Sequence, residues 1–314
     1  MIPLHRNLAL ALAAMFAPAC SSFEGTPRSI ADLTEARALH VAGQDEDAWE
    51  ILDEFEAEEF DLAAQRDFNL LAGDVCDARH DWNRTVRFYE YAMMQPGPAS
   101  EALRVEQRLL ELGIELLEGK HKVLFFFTDR GRGIVTLENL AYGGQFRATR
   151  AEALGRLAEY RYADGDYLDA AQFYAGLLDP DLAGLGYEDQ AAFRLGMCSL
   201  QRVEEGKLNG TIILQGLDQF RAYLAEFPQG LYRVEAEAAR AELAEDLGLY
   251  HVMIADFYQR IDNPQGEQFH LELAAGRAPL GHRELAGDLR GTAVAAEAER
   301  RLQDLAAAAA AAPQ

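Results

Sequence analysis

Helix pairs whose crossing points are marked by small residues constrain this chain more than any other feature of its sequence. Between Ala158 and Leu178 it places Tyr160 and Tyr162, a turn at Asp164-Gly165-Asp166-Tyr167, and then Ala170, Ala171, Phe173, Tyr174 and Leu177. Two helices approach closely only where the side chain between them is Ala or Gly, and a large ring set just beyond fills the space toward the next pair. Gly165 supplies the break, and Asp166 stands where it can cap the second helix.

The pattern recurs in degenerate form. Ala36, Leu39, Gly43, Ala48, Leu52 and Phe55 make an earlier copy, and Gly73, Cys76, His80, Trp82, Tyr89, Ala92 and Pro96 make another, with Thr85 at its crossing. A further copy begins near Gly196 and Cys198, carries an insertion from Val203 to Gly210, and resumes with Phe220, Tyr223, Phe227 and Pro228. The interval from Ala48 to Thr85 is close to the roughly 34-residue period of the tetratricopeptide repeat, which the segment at Ala158 closely resembles. The expected fold is all-α, an α-solenoid of tetratricopeptide-like helix pairs. Residues 29–145 would form an amino-terminal set of repeats and residues 146–305 a carboxy-terminal set.

The boundary is placed at the least regular stretch. Ala102 to Leu117 reads as a helix; Gly119-Lys120-His121-Lys122 then leads into Val123, Leu124, Phe125, Phe126 and Phe127, followed by Arg130-Gly131-Arg132-Gly133. Two readings of the apolar run stand: an exposed loop that holds a partner, or a segment folded inward over the preceding pair. Tyr232 to Leu247 is helical, Tyr250 to Tyr258 continues after Gly248, and Thr292 to Leu305 forms a last amphipathic helix. The alanine-rich residues 306–314 have no face to bury and are expected to fray into a disordered tail.

The amino terminus speaks to compartment. His5 and Arg6 precede an apolar run from Leu8 to Phe16 that is too short to span a bilayer, and Ala17-Pro18-Ala19 leads directly to Cys20. Residues 1–19 are read as a signal peptide, Cys20 as the lipid-attachment residue and residues 20–28 as a lipidated tether. Ala17-Pro18-Ala19 also satisfies the rule for a secreted, lipid-free product. The remaining cysteines, Cys76 and Cys198, fall within apolar helical patterns and are expected to be buried free thiols.

The chain has 52 acidic against 29 basic residues, a formal net charge of -23, and its only lysines are Lys120, Lys122 and Lys207. Nucleic acid and anionic headgroups require clustered positive charge, so nucleic-acid binding is excluded. The densest acidic stretch, Asp45 to Asp61, reads as a solvated helix face. The seven histidines, His5, His40, His80, His121, His251, His270 and His282, show no metal-ligand spacing, and no phosphate loop, dinucleotide fingerprint or nucleophile elbow occurs. No metal, cofactor or catalytic residue is predicted. Asp77, His80 and Asp81 read as turn and cap residues, and Asn209-Gly210-Thr211 as a turn into a helix.

The order Phe220, Tyr223, Leu224, Phe227, Pro228, Gly230, Tyr232, Glu235 and Ala236 resembles the outer-membrane assembly lipoprotein family BamD. Tyr250, Ile254, Ala255, Phe257 and Tyr258 are similar to that family's next helix, although the small residue expected at the following crossing is replaced by Gln268, Phe269 and His270. The resemblance implies a periplasmic tetratricopeptide lipoprotein at the inner face of the outer membrane. Its implied partners are the barrel-inserting subunit and unfolded outer-membrane proteins, and its implied role is assembly and insertion of β-barrel proteins. The alternatives are a tetratricopeptide lipoprotein adaptor for cell-wall, division or secretion machinery, and a hydrolase of envelope polymers built on a helical scaffold.

In such an array the first helix of each pair lines the working groove. Counting back from the crossings assigns Leu70, Asp74 and Asp77 to it in one pair and Glu159 and Tyr162 in another. Acids there disfavour capture of a terminal carboxylate and suit extended segments with apolar, aromatic or basic character.

Overall fold

The computed structural model describes residues 29–53, 61–123, 127–204, 209–277 and 285–311. Cys20, residues 1–28, Phe55, Leu124 to Phe126 and the heart of the Val203–Gly210 insertion lie outside these. The fold is all-α, with helices packing on their sequence neighbours, and it divides into compact units on either side of Gln95–Pro96.

The first unit contains α1 (Ile30–Val41), α2 (Asp45–Asp53), α3 (Leu62–Ala78) and α4 (Trp82–Met93). Its core gathers Leu33, Trp49, Leu52, Phe68, Val75 and Cys76 around the ring of Phe88, which meets Trp49 and Phe68 edge-on at 6.0 and 5.8 Å. The α3–α4 crossing depends on Gly73, where a Cβ would stand 2.5 Å from the ring carbons of Tyr89. At the turn His80 takes φ +61°, and Asp81 accepts the N–H of Arg84 to cap α4. The acidic residues Asp45, Glu46 and Asp47 occupy the first turn of α2, where they complement the helix dipole.

The second unit contains α5 (Ala99–Leu117), α6 (Arg130–Gly143), α7 (Arg147–Ala163), α8 (Tyr167–Leu177), α9 (Glu188–Glu204), α10 (Gly210–Glu226), α11 (Arg233–Arg260), α12 (Pro264–Ala274), α13 (Leu285–Leu289) and α14 (Ala293–Ala311). From α5 to α12 each helix packs on the next, and α14 closes on α12. Between α5 and α6, β1 (Lys122–Val123) pairs antiparallel with β2 (Phe127–Thr128) at the two ends of the apolar run, and the residues on which its two readings turn lie outside those described. Gly196 repeats the role of Gly73: a Cβ there would lie 2.6 Å from the ring of Phe220. The Phe227-Pro228 junction is held by Asp189, which accepts from the Tyr223 hydroxyl at 2.7 Å and the Leu231 N–H at 2.8 Å. Tyr232 stacks on Phe193 with centroids 4.6 Å apart.

Several expectations are corrected. The contacts divide the chain at Gln95–Pro96, whereas the sequence reading placed the boundary between 145 and 146. That position lies inside the second unit, where the fully buried Glu106 of α5 accepts the N–H groups of Gln145 (2.5 Å) and Phe146 (3.3 Å) at the start of α7. Asp166 occupies the cap position of α8, but its side chain caps nothing and its carboxylate is met by Arg161 at 3.5 Å. The helix read from Tyr232 to Leu247 and continued from Tyr250 to Tyr258 is the single α11, and the missing Cβ at Gly248 makes room for Val294 of α14. The crossing after Tyr258 is made by Gly266, whose Cβ would lie 2.5 Å from the Tyr258 ring, while His270 stacks on that ring's face. The alanine tail is helical to Ala311, as the high helix propensity of alanine favours once α14 is docked.

Cys76 and Cys198 are buried free thiols, pushed up to about 12 by burial. Neither is a nucleophile at neutral pH. No helix among the described residues is long and apolar enough to cross a membrane.

Replacing Glu106 with Ala removes the acceptor for two backbone donors, and the variant should lose about 1–3 kcal/mol of stability in urea unfolding. Unchanged stability would show that α7 does not depend on this cap.

Candidate functional site

The sequence reading pointed to the first helices of the pairs, and in the second unit α7 and α9 carry a concave site between them. Its construction starts from the α7–α8 crossing. Tyr174 of α8 packs against α7, where the tyrosine is 2% exposed and Ala158 is fully buried. A buried hydroxyl needs a partner, and the Tyr174 hydroxyl donates to Glu159 Oε1 at 2.9 Å. Burial and this neighbouring carboxylate push the tyrosine's own ionisation upward.

The second wall arises from the connection before α9. Arg147 donates to the carbonyls of Asp181 and Ala183, and Glu188 accepts the N–H groups of Gly184 and Gly186. The loop so fixed presents Tyr187, whose hydroxyl donates to Glu152 Oε2 at 2.6 Å. Arg156, one turn along α7, holds the other oxygen of Glu152 at 2.7 Å. Burial alone would raise the Glu152 ionisation, but the hydrogen bonds from Tyr187 and Arg156 outweigh it and hold the group below the ordinary carboxylate range. Tyr187 is correspondingly pushed up to about 12, by burial and by its bond to Glu152.

Between these walls lies a cavity of about 240 Å³. Its surface combines Gly155, Leu177 and Ala191 with the rings of Tyr174 and Tyr187 and the polar groups of Glu152, Arg156, Glu159 and Gln190. Gln190 donates to Glu159 Oε1 at 3.1 Å, and Arg194 lies 3.8 Å from the same oxygen with its guanidinium 4.7 Å from the Tyr162 ring centroid. The site therefore has fixed polar groups over a small apolar surface, an arrangement suited to holding a chain segment.

Of the residues assigned to the groove from the sequence, Glu159 lines this cavity, and Tyr162 flanks it through Arg194 and an edge contact with Tyr174. Leu70, Asp74 and Asp77 belong to the first unit. Leu70 is buried, and Asp74 accepts the Tyr89 hydroxyl at 2.6 Å, fifteen residues apart as in the Glu159–Tyr174 pair. Val123 and Phe127 lie in the β hairpin, and Leu124, Phe125 and Phe126 are outside the described residues. Gly155, Tyr187 and Gln190 were missed.

The first unit has its own concavity, of about 450 Å³, which the sequence reading also missed. It is lined by Trp49, Phe68, Phe88 and Tyr91 together with Arg84 and Arg87. Arg79 and Arg84 lie 5.2 and 5.0 Å from the Trp49 ring, in cation–π range. The succession of arginines from Arg79 to Arg87 beside aromatic residues was the available signal. Among the described residues no group of three or more potential ligands could hold a metal ion.

Comparison with known proteins gives no matching family model, and no curated protein matches the chain.

The depressed Glu152 carboxylate contributes stability above its unfolded value of 4.5, and that contribution is lost as pH falls through the folded-state value. Tyr187→Phe should therefore be less stable than the parent by about 1 kcal/mol at neutral pH. The gap should narrow in urea unfolding as pH is lowered through the carboxylate range, and a constant gap would show that the Tyr187–Glu152 bond carries no charge-dependent part.

Proposed function

We propose that this chain is a lipid-anchored periplasmic scaffold that binds extended segments of other proteins during assembly and insertion of outer-membrane β-barrels, without catalysis of its own. The observation that carries the binding role is the groove on α7 and α9, where each polar group is fixed by a neighbour around the small floor of Gly155 and Ala191. Rigid placement of this kind reduces the ordering that a partner's arrival would otherwise cost. It also favours binding over acid catalysis at Glu152, since a general acid needs a carboxyl whose proton is retained and this one is held ionised.

The place and the machinery come from the sequence. Cys20 after its apolar run is the anchor, and the likeness of Phe220 to Ala236 to the BamD family supplies the barrel-inserting subunit and unfolded outer-membrane proteins as partners. The ordered Phe227-Pro228 junction accounts for why those aromatics and Gly230 occur together. A Cβ on Gly230 would stand 2.5 Å from the Tyr223 hydroxyl oxygen.

Cys20→Ser should release the protein from the membrane fraction in soluble form, and retention of that variant would remove the anchor. A photo-crosslinking residue at Gln190 in intact cells should capture the barrel-inserting subunit or unfolded β-barrel precursors. Capture of a cell-wall, division or secretion component alone would overturn the barrel-assembly role in favour of an adaptor for that machinery.

A further inference from the structure

We propose that Glu159 is the specificity-determining residue of the groove and that it selects a lysine or arginine side chain in the bound segment; this rests on the groove reading above. Tyr174, Gln190 and Arg194 all address Glu159 Oε1, and Oε2 makes no hydrogen bond among the described residues. The side chain is 46% exposed and lines the cavity. One oxygen is thus anchored while the other is left without such a bond at the cavity's edge, so a cationic head meets a carboxylate already in place.

Gly155 gives the stem of that side chain somewhere to lie. Glycine is unfavourable inside a helix relative to alanine, so its presence needs a reason. Neighbour packing does not supply one: a Cβ at Gly155 would meet only Tyr187, at 3.5 Å, an ordinary contact. In the first unit Leu70 stands at the corresponding place, four residues before the tyrosine-bound acid, and is itself buried. In α7 Gly155 instead lines the cavity with Ala191 beside the Tyr187 ring, and the methylenes of Lys or Arg can lie along that surface while the head reaches Oε2.

The surrounding charges are compatible with a cation. Arg156 is engaged by Glu152, and Arg194 is shared between Glu159 and the Tyr162 ring. The net charge of -23 draws basic segments toward the chain at long range.

The test uses two fluorescein-labelled nonapeptides of alternating Ser and Val, one with a central Lys and one with a central norleucine. Their anisotropy is measured with the folded chain and with Glu159→Gln, whose amide oxygen still accepts from Tyr174. The parent should bind the lysine peptide at least about tenfold more tightly than the norleucine peptide, as expected for a charge-assisted bond. Glu159→Gln should bring that ratio close to one by weakening the lysine peptide alone, with circular dichroism unchanged. Gly155→Leu, which copies Leu70, should weaken both peptides. If neither peptide binds the parent, the groove reading fails and this assignment with it. If both bind but the ratio is near one, or survives Glu159→Gln, the groove stands and the role of Glu159 is overturned.

Discussion

The close crossing of paired helices is the contact on which the rest of this structure depends. At Gly73 and Gly196 the absence of a Cβ lets Tyr89 and Phe220 rest on the backbone of the partner helix, and the fully buried Ala158 precedes the buried Tyr174 by the same interval as Gly73 precedes Tyr89. Burying a tyrosine this way carries its hydroxyl to the surface of the first helix, where it must be paired. An acid directly after the small residue meets that need: Asp74 in one pair and Glu159 in the other, each bound by a tyrosine fifteen residues on. Fold and site are consequently linked, because the bond that completes the packing also fixes a carboxylate on the groove face.

The same construction gives two different surfaces. Leu70 fills the position four residues before Asp74, while at the equivalent position before Glu159 Gly155 has no side chain and lines the cavity beside Tyr187. The difference concerns a side chain that the packing does not require, and its effect falls on the space above the helix. Tyr187 then closes the far wall from a connection held by Arg147 and Glu188.

The paired helices were legible in the sequence because a crossing demands Gly or Ala and a ring within a short span, and that demand is local. Glu159 and Tyr162 followed by counting back from the crossing in the second helix of their pair. What was not legible depends on partners distant along the chain. Gly248 inside a helix is explained only by Val294, which needs its space, and Gly266 serves as a crossing although its ring, Tyr258, comes before it rather than after. The division at Gln95–Pro96 was hidden because Glu106 reaches 39 residues ahead to cap α7, which binds together two segments that composition had separated. Tyr187, Gln190 and Gly155 carry no pattern of their own; only the loop geometry brings them to one cavity.

Backbone amide NMR of the folded chain, titrated with the lysine nonapeptide, tests the central claim most directly by locating the bound segment. Shift changes concentrated in Glu152 to Tyr162 and Tyr187 to Arg194 are the predicted result. Saturable changes confined to other helices, with these two stretches unmoved, would contradict it.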